Sequence, residues 1–127
     1  MVRIGADPNW SHGSGALPEL SPQIYKALID TGAEGTIIDE LVAADVGATA
    51  SHTVTVSSFQ GPPHGSGGAT IQLLLPGANV VFSGGAALLP LRSEGAMFDL
   101  ILGRSFLAHC RFVVDGKGQP FRLWWLG

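Results

Sequence analysis

The sequence predicts an all-β domain carrying one or two short helices. Two observations lead there. Its apolar runs are short and are divided by frequent turn formers, 18 Gly and 8 Pro in 127 residues, as expected for many strands joined by tight turns. Hydrophobic residues make up 46% of the chain and charged residues 13%. That is enough apolar material for one core, and it leaves a surface sparing in charge, as expected if part of it is covered by a partner. The length fits a single domain over residues 1–127.

The elements follow in chain order. Residues 1–23 read as a short strand, Val2 to Gly5, and a loose polar stretch containing Gly and Pro. Ile24 to Ile29 is apolar except for Lys26 and is expected as a strand near the core. It ends at Asp30-Thr31-Gly32-Ala33, where glycine permits a sharp turn. Thr36-Ile37-Ile38 resumes the sheet. Asp39 is placed to cap a helix over Glu40 to Val46, which Gly47 stops. Thr53 to Ser58 alternates apolar and polar residues, and Ala69 to Leu75 is a second β-rich run. Together they read as the arms of a hairpin over 53–75 with a mobile, glycine-rich tip between them. Pro76-Gly77 is a turn, Asn79 to Phe82 a strand, and Ala86 to Leu91 another. Phe98 to Leu102 is an apolar strand containing Asp99. A short helix from Ser105 to His109 follows, with Phe106, Leu107 and Cys110 on one face. Arg111 to Asp115 and Pro120 to Leu126 form a terminal hairpin around Asp115-Gly116. The aromatic-rich last arm suits either a core strand or an interface.

Several classes of function are disfavoured. The formal net charge is −3 and there is no run of Lys or Arg, so no nucleic-acid partner is expected. No apolar stretch approaches the ~20 residues of a membrane span, and the N-terminus lacks the pattern of a secretory signal. One cysteine, Cys110, precludes an internal disulfide and permits a reducing compartment. The expected location is cytoplasmic, unless the chain is a domain of a longer protein. His12, His52, His64 and His109 have no ligand spacing, so neither a metal nor another cofactor is expected. His109 and Cys110 are neighbours on a helix and point different ways, which disfavours a thiol nucleophile. Gly65-Ser66-Gly67-Gly68 lacks the Gly-Lys-Ser/Thr of a phosphate loop.

The candidate chemistry lies in two segments. Ala27-Leu28-Ile29-Asp30-Thr31-Gly32-Ala33 sets an acid at the end of an apolar strand, with small residues after it that let other chain come close. Far downstream, Phe98-Asp99-Leu100-Ile101-Leu102-Gly103-Arg104-Ser105-Phe106-Leu107 runs from apolar strand through Gly-Arg into a short helix. With the glycine-rich hairpin between them, the chain resembles the retropepsin family of retroviral and retroviral-like aspartic proteases over roughly residues 24–115.

The resemblance implies a closed-barrel-like single lobe with a flap hairpin, working as a homodimer. It implies that Asp30 is catalytic, that the Thr31 hydroxyl braces the two active-site loops, and that the Gly32 carbonyl contacts substrate backbone. Ala33 belongs to the same supporting turn. Glu34 and Arg104 are expected to pair, tying that turn to the short helix within the segment 98–126, which holds the Ile-Leu-Gly-Arg strand, that helix and the C-terminal hairpin. The flap would contact substrate through Gln60, Gly61, Gly65, Gly67 and Gly68. Ser105 departs from the aspartate or asparagine usual after Gly-Arg, and the flap is longer and richer in Pro than expected. The physical argument agrees: an acid protease needs two carboxyls sharing one proton, whereas this chain has one Asp-Thr-Gly. A two-fold dimer supplies the second. The expected substrate is a peptide or protein bound in extended form, and low charge suggests a cleft preferring apolar side chains. The rival readings are a non-catalytic module of the same fold that dimerises or binds peptides, and an unrelated β-barrel for small apolar ligands.

Overall fold

The computed structural model describes residues 1–58, 61–118 and 121–127. Its main sheet contains β1 (Arg3–Gly5), β2 (Ala27–Ile29), β3 (Thr36–Asp39), β4 (His52–Ser58), β5 (Gly61–Leu75), β6 (Val80–Leu89) and β7 (Leu100–Leu102). Two short helices, α1 (Glu40–Asp45) and α2 (Arg104–Leu107), and a separate two-stranded sheet of β8 (Cys110–Val113) and β9 (Arg122–Trp125) complete it. The order across the main sheet is β1-β5-β6-β3-β7-β2, with β4 also on β5. The sheet curls into a half-barrel. Its two ends are linked by one isolated antiparallel bridge, Val2 to Tyr25, with hydrogen bonds of 2.9 and 2.8 Å.

Alternation decides which side chains enter the core. Ile4, Ile38, Ile71, Leu73 and Leu100 are fully enclosed, joined by Val42 from α1 and Phe106 from α2. Each such side chain contributes about 1.5–3 kcal/mol relative to exposure. Asp39 caps α1, its Oδ2 accepting from the backbone N–H of Leu41 (3.1 Å) and Val42 (3.3 Å). Beyond Val46 the chain turns through Gly47 at φ +78°, a left-handed conformation that favours glycine.

Several expected elements differ: the strand expected from Ile24 begins only at Ala27, and the short helix is Arg104–Leu107, so that Cys110, expected on its face, opens β8 instead. The strand pieces at Asn79 to Phe82 and Ala86 to Leu91 are one strand, β6, because Ser83, Gly84 and Gly85 keep pairing with Gln72, Ile71 and Thr70. Glycines that suggest a break in the sequence are here continuous ladder. The glycine-rich stretch expected as a mobile flap tip is also strand. Gly65, Gly67 and Gly68 pair with Thr55, Thr53 and His52 in an arm that begins at Gly61. Its two prolines, Pro62 and Pro63, sit where the register shifts between Val56 and Ser58, at an irregular part of the ladder that tolerates a missing N–H. Phe59 and Gln60 lie outside the described residues, and the expected substrate contact by Gln60 falls there. The strand at Phe98 to Leu102 is shorter than expected. Asp99 instead receives the Lys26 N–H on its Oδ2 at 2.8 Å and pairs through Oδ1 with Arg92.

The terminal hairpin divides by face. Leu123 and Trp125 point to the core, and Trp125 packs against Phe82, Phe106 and His109 with ring centroids 5.3–6.2 Å apart. Trp124 points outward, 43% exposed, beneath the Arg111 guanidinium. So one arm is both core strand and apolar surface.

Candidate functional site

The site is built where one turn of the chain crosses over the end of a strand. Strand β7 lies between β2, parallel to it, and β3, antiparallel to it. The turn 30–35 joins β2 to β3 and therefore crosses over the end of β7, where Gly103 leaves the strand. A Cβ on Gly103 would overlap the Gly35 carbonyl oxygen and stand 2.7 Å from that of Ala33. Only glycine lets the two segments approach this closely. The Gly-Arg after the apolar strand is thereby explained sterically.

Hydrogen bonds then fasten the turn to what passes beneath it. Asp30 N–H donates to the Leu102 carbonyl (3.1 Å), Arg104 N–H to Ala33 (2.9 Å) and Ser105 N–H to Glu34 (2.8 Å). Within the turn, Ala33 N–H donates to the Asp30 carbonyl (3.2 Å) and Gly32 N–H to Asp30 Oδ1 (2.9 Å). One oxygen of Asp30 is thus engaged locally, and the half-buried carboxylate sits in the wall of a cleft of about 1050 Å³.

The expected Glu34–Arg104 pair does not form. Arg104 Nη1 donates instead to the carbonyls of Thr31 (3.1 Å) and Gly32 (3.3 Å), and among the described residues the one ion pair is Arg92–Asp99. The physical reason is the backbone. The turn directs carbonyl oxygens at the start of α2, and a guanidinium with five donors is satisfied by them. Arg104 still ties the turn to the helix, by a different route. The Gly32 carbonyl, expected to face substrate, is already a partner of Arg104.

Asp30, Gly32, Ala33, Glu34 and Arg104 are brought together on the cleft, while Thr31 is exposed beside them. The flap glycines are not: Gly61, Gly65, Gly67 and Gly68 do not line it, whereas Val54, Thr55, Val56 and Ser57 of β4 do. The alternation from Thr53 to Ser58 announced that strand without saying which arm would face the acid. Ile37, Gly85 and Ala87 also line the cleft and carried no sequence signal. Thr36 lines it too. It is 4% exposed, and its Oγ1 is the one buried side-chain oxygen without a hydrogen-bond partner among the described residues.

Elsewhere, burial pushes the Cys110 thiol up, and the Asp99 hydrogen bond holds Arg92 above its ordinary range. Cys110 contacts the Phe106 carbonyl as a weak donor at 3.8 Å, in keeping with a packed thiol. Among the described residues no group of His, Cys, Asp and Glu is arranged to hold a metal ion, and no helix is long and apolar enough to cross a membrane.

The chain matches no family model, no curated protein and no solved structure.

Proposed function

We propose that this chain is one subunit of a homodimeric aspartic endopeptidase of the retropepsin type. The observation that carries the reading is Asp30. It is a half-buried carboxylate at the end of β2, held by backbone bonds over the Gly103 crossing, in a cleft also lined by the β4 arm. Each subunit contributes one such acid, and two-fold symmetry brings two together.

Like charges about 3 Å apart cannot both ionise, so the pair shares one proton. The ionised carboxylate takes a proton from a water, whose oxygen attacks the peptide carbonyl carbon. The protonated carboxyl donates to the carbonyl oxygen. The resulting diol collapses as the C–N bond breaks: the carboxyl that took the water's proton gives it to the leaving nitrogen, and the other carboxylate takes a proton back from a diol hydroxyl. Substrate lies extended, adding to the β4 arm as a strand would. The apolar side chains of Val54, Val56, Ile37 and Ala87 on the cleft walls suit apolar substrate residues.

The test is peptide cleavage by the purified chain beside its Asp30→Asn variant, read by mass spectrometry from acidic to neutral pH, with sedimentation to establish the dimer. Cuts made by the wild type and lost in the variant are expected. A dimer in which both proteins are silent would refute the peptidase and favour a binding module on the same fold.

A further inference from the structure

Three charged side chains line the cleft: Asp30, Glu34 and Arg104. Asp30 is reserved by the peptidase reading, and the Arg104 guanidinium donates to the Thr31 and Gly32 carbonyls. Glu34 is different. Its side chain is exposed, and among the described residues its carboxylate has neither an ion pair nor a hydrogen bond. Its backbone, by contrast, is fixed, because the Glu34 carbonyl accepts from Ser105 N–H at 2.8 Å. A fixed main chain thus presents a solvent-exposed carboxylate, without a protein partner among the described residues, beside the proposed catalytic acid, four positions along the same turn.

We propose that Glu34 is a specificity-determining residue that receives a Lys or Arg side chain of the extended peptide substrate. The inference rests on the peptidase reading for its substrate class. A cation arriving there meets no competing cation in the cleft except Arg104, which is already engaged. An acidic residue would meet two carboxylates. The interaction is a charge-assisted hydrogen bond, which a Lys ammonium makes at a point and an Arg guanidinium makes bidentately. Because Glu34 and Asp30 share one turn, the basic residue falls at a fixed distance from the scissile bond. Two-fold symmetry places a second Glu34 on the other side of that bond, so the preference appears at two positions, one on each side. The remaining subsites stay apolar.

The test pairs cleavage with binding. Peptides matched except for Lys or Gln at each position around a cut site are turned over by the wild type and by Glu34→Gln. The expected Lys-over-Gln ratio in kcat/KM is about twofold to fivefold at the two symmetric positions, the size of an exposed ion pair. It shrinks in 1 M salt and falls to about one in Glu34→Gln. The same peptides, fluorescently labelled, are titrated by anisotropy into Asp30→Asn and into the Asp30→Asn/Glu34→Gln double variant. If the wild type cuts nothing but Asp30→Asn still prefers the Lys peptides and the double variant does not, the peptidase reading fails and the role of Glu34 stands. If wild type cleaves Lys and Gln peptides equally, or Glu34→Gln keeps the preference, the role of Glu34 is overturned and the peptidase remains. Absence of both cleavage and binding overturns both.

Discussion

Adding one carbon at Gly103 should damage both the fold and the site. A Cβ there stands 2.7 Å from the Ala33 oxygen and closer still to that of Gly35. Ordinary contact begins near 3.4 Å, so the Ala33 carbonyl alone must recede by about 0.7 Å, and Gly35 by more. Both obstacles are backbone, so no side-chain rotation relieves them. The recoil stretches the bonds from Asp30 N–H to Leu102, from Arg104 N–H to Ala33 and from Ser105 N–H to Glu34, now 2.8–3.1 Å. Overpacking alone costs about 1–3 kcal/mol, and weakening these bonds adds on the order of 1 kcal/mol more. The expected loss for Gly103→Ala is therefore about 3 kcal/mol, measured by urea unfolding with linear extrapolation. On the proposed peptidase reading, a shift of that size in the turn that carries Asp30 should also lower peptide turnover about 100-fold. Gly116→Ala is the control, because a Cβ there meets nothing within 4 Å. If Gly103→Ala proves as stable as Gly116→Ala, the crossing is not the constraint described.

Other expectations concern groups outside that crossing. Thr36→Val removes a buried hydroxyl without a partner and should stabilise the chain by about 1 kcal/mol, raising Tm by about 4 °C; a fall in Tm would mean that the hydroxyl has a partner in solution. Asp99→Ala leaves the Lys26 N–H and the half-exposed Arg92 guanidinium to water and should cost about 1 kcal/mol in urea unfolding, with Asp99→Asn recovering part of it. Cys110, whose thiol burial pushes up, carries less thiolate than an ordinary cysteine at any pH below its raised pKa. Iodoacetamide at pH 7.5 should therefore label it more slowly than it labels the urea-unfolded chain, and equal rates would contradict its packing.

Much of the architecture could be read from residue patterns because those patterns are local. The Asp39 cap and the Gly47 stop bound a helix by backbone chemistry within a few residues. The apolar runs before Asp30 and before Gly103 mark strands whatever they pair with. What escaped was decided by distant partners. Gly84 and Gly85 look like a break until Ile71 and Thr70 pair with them, and the 61–68 stretch looks like a loop until β4 lies beside it. Arg104 carries a charge that invites an acid, but carbonyls at 3.1 and 3.3 Å claimed it first. Asp99 reads only as one residue of an apolar strand, because nothing near it in sequence shows that Lys26 N–H reaches it from 73 positions away.

That long reach has a kinetic side. Every strand bordering the turn at Asp30 is paired across large sequence separations: Ala27 to Leu100, Ile37 to Ile101, and Thr36 to Ala86. Loop closure must precede each of these pairings, and domains dominated by such contacts fold in milliseconds to seconds rather than microseconds. The hairpins β4–β5 and β5–β6 join neighbours in the chain and can form early. The acid-bearing turn assembles only when the region around residue 100 arrives to be threaded beneath it. A nascent chain halted before Gly103 would carry Asp30 on an unfinished support, so any activity that turn has is withheld until nearly the whole domain has been made.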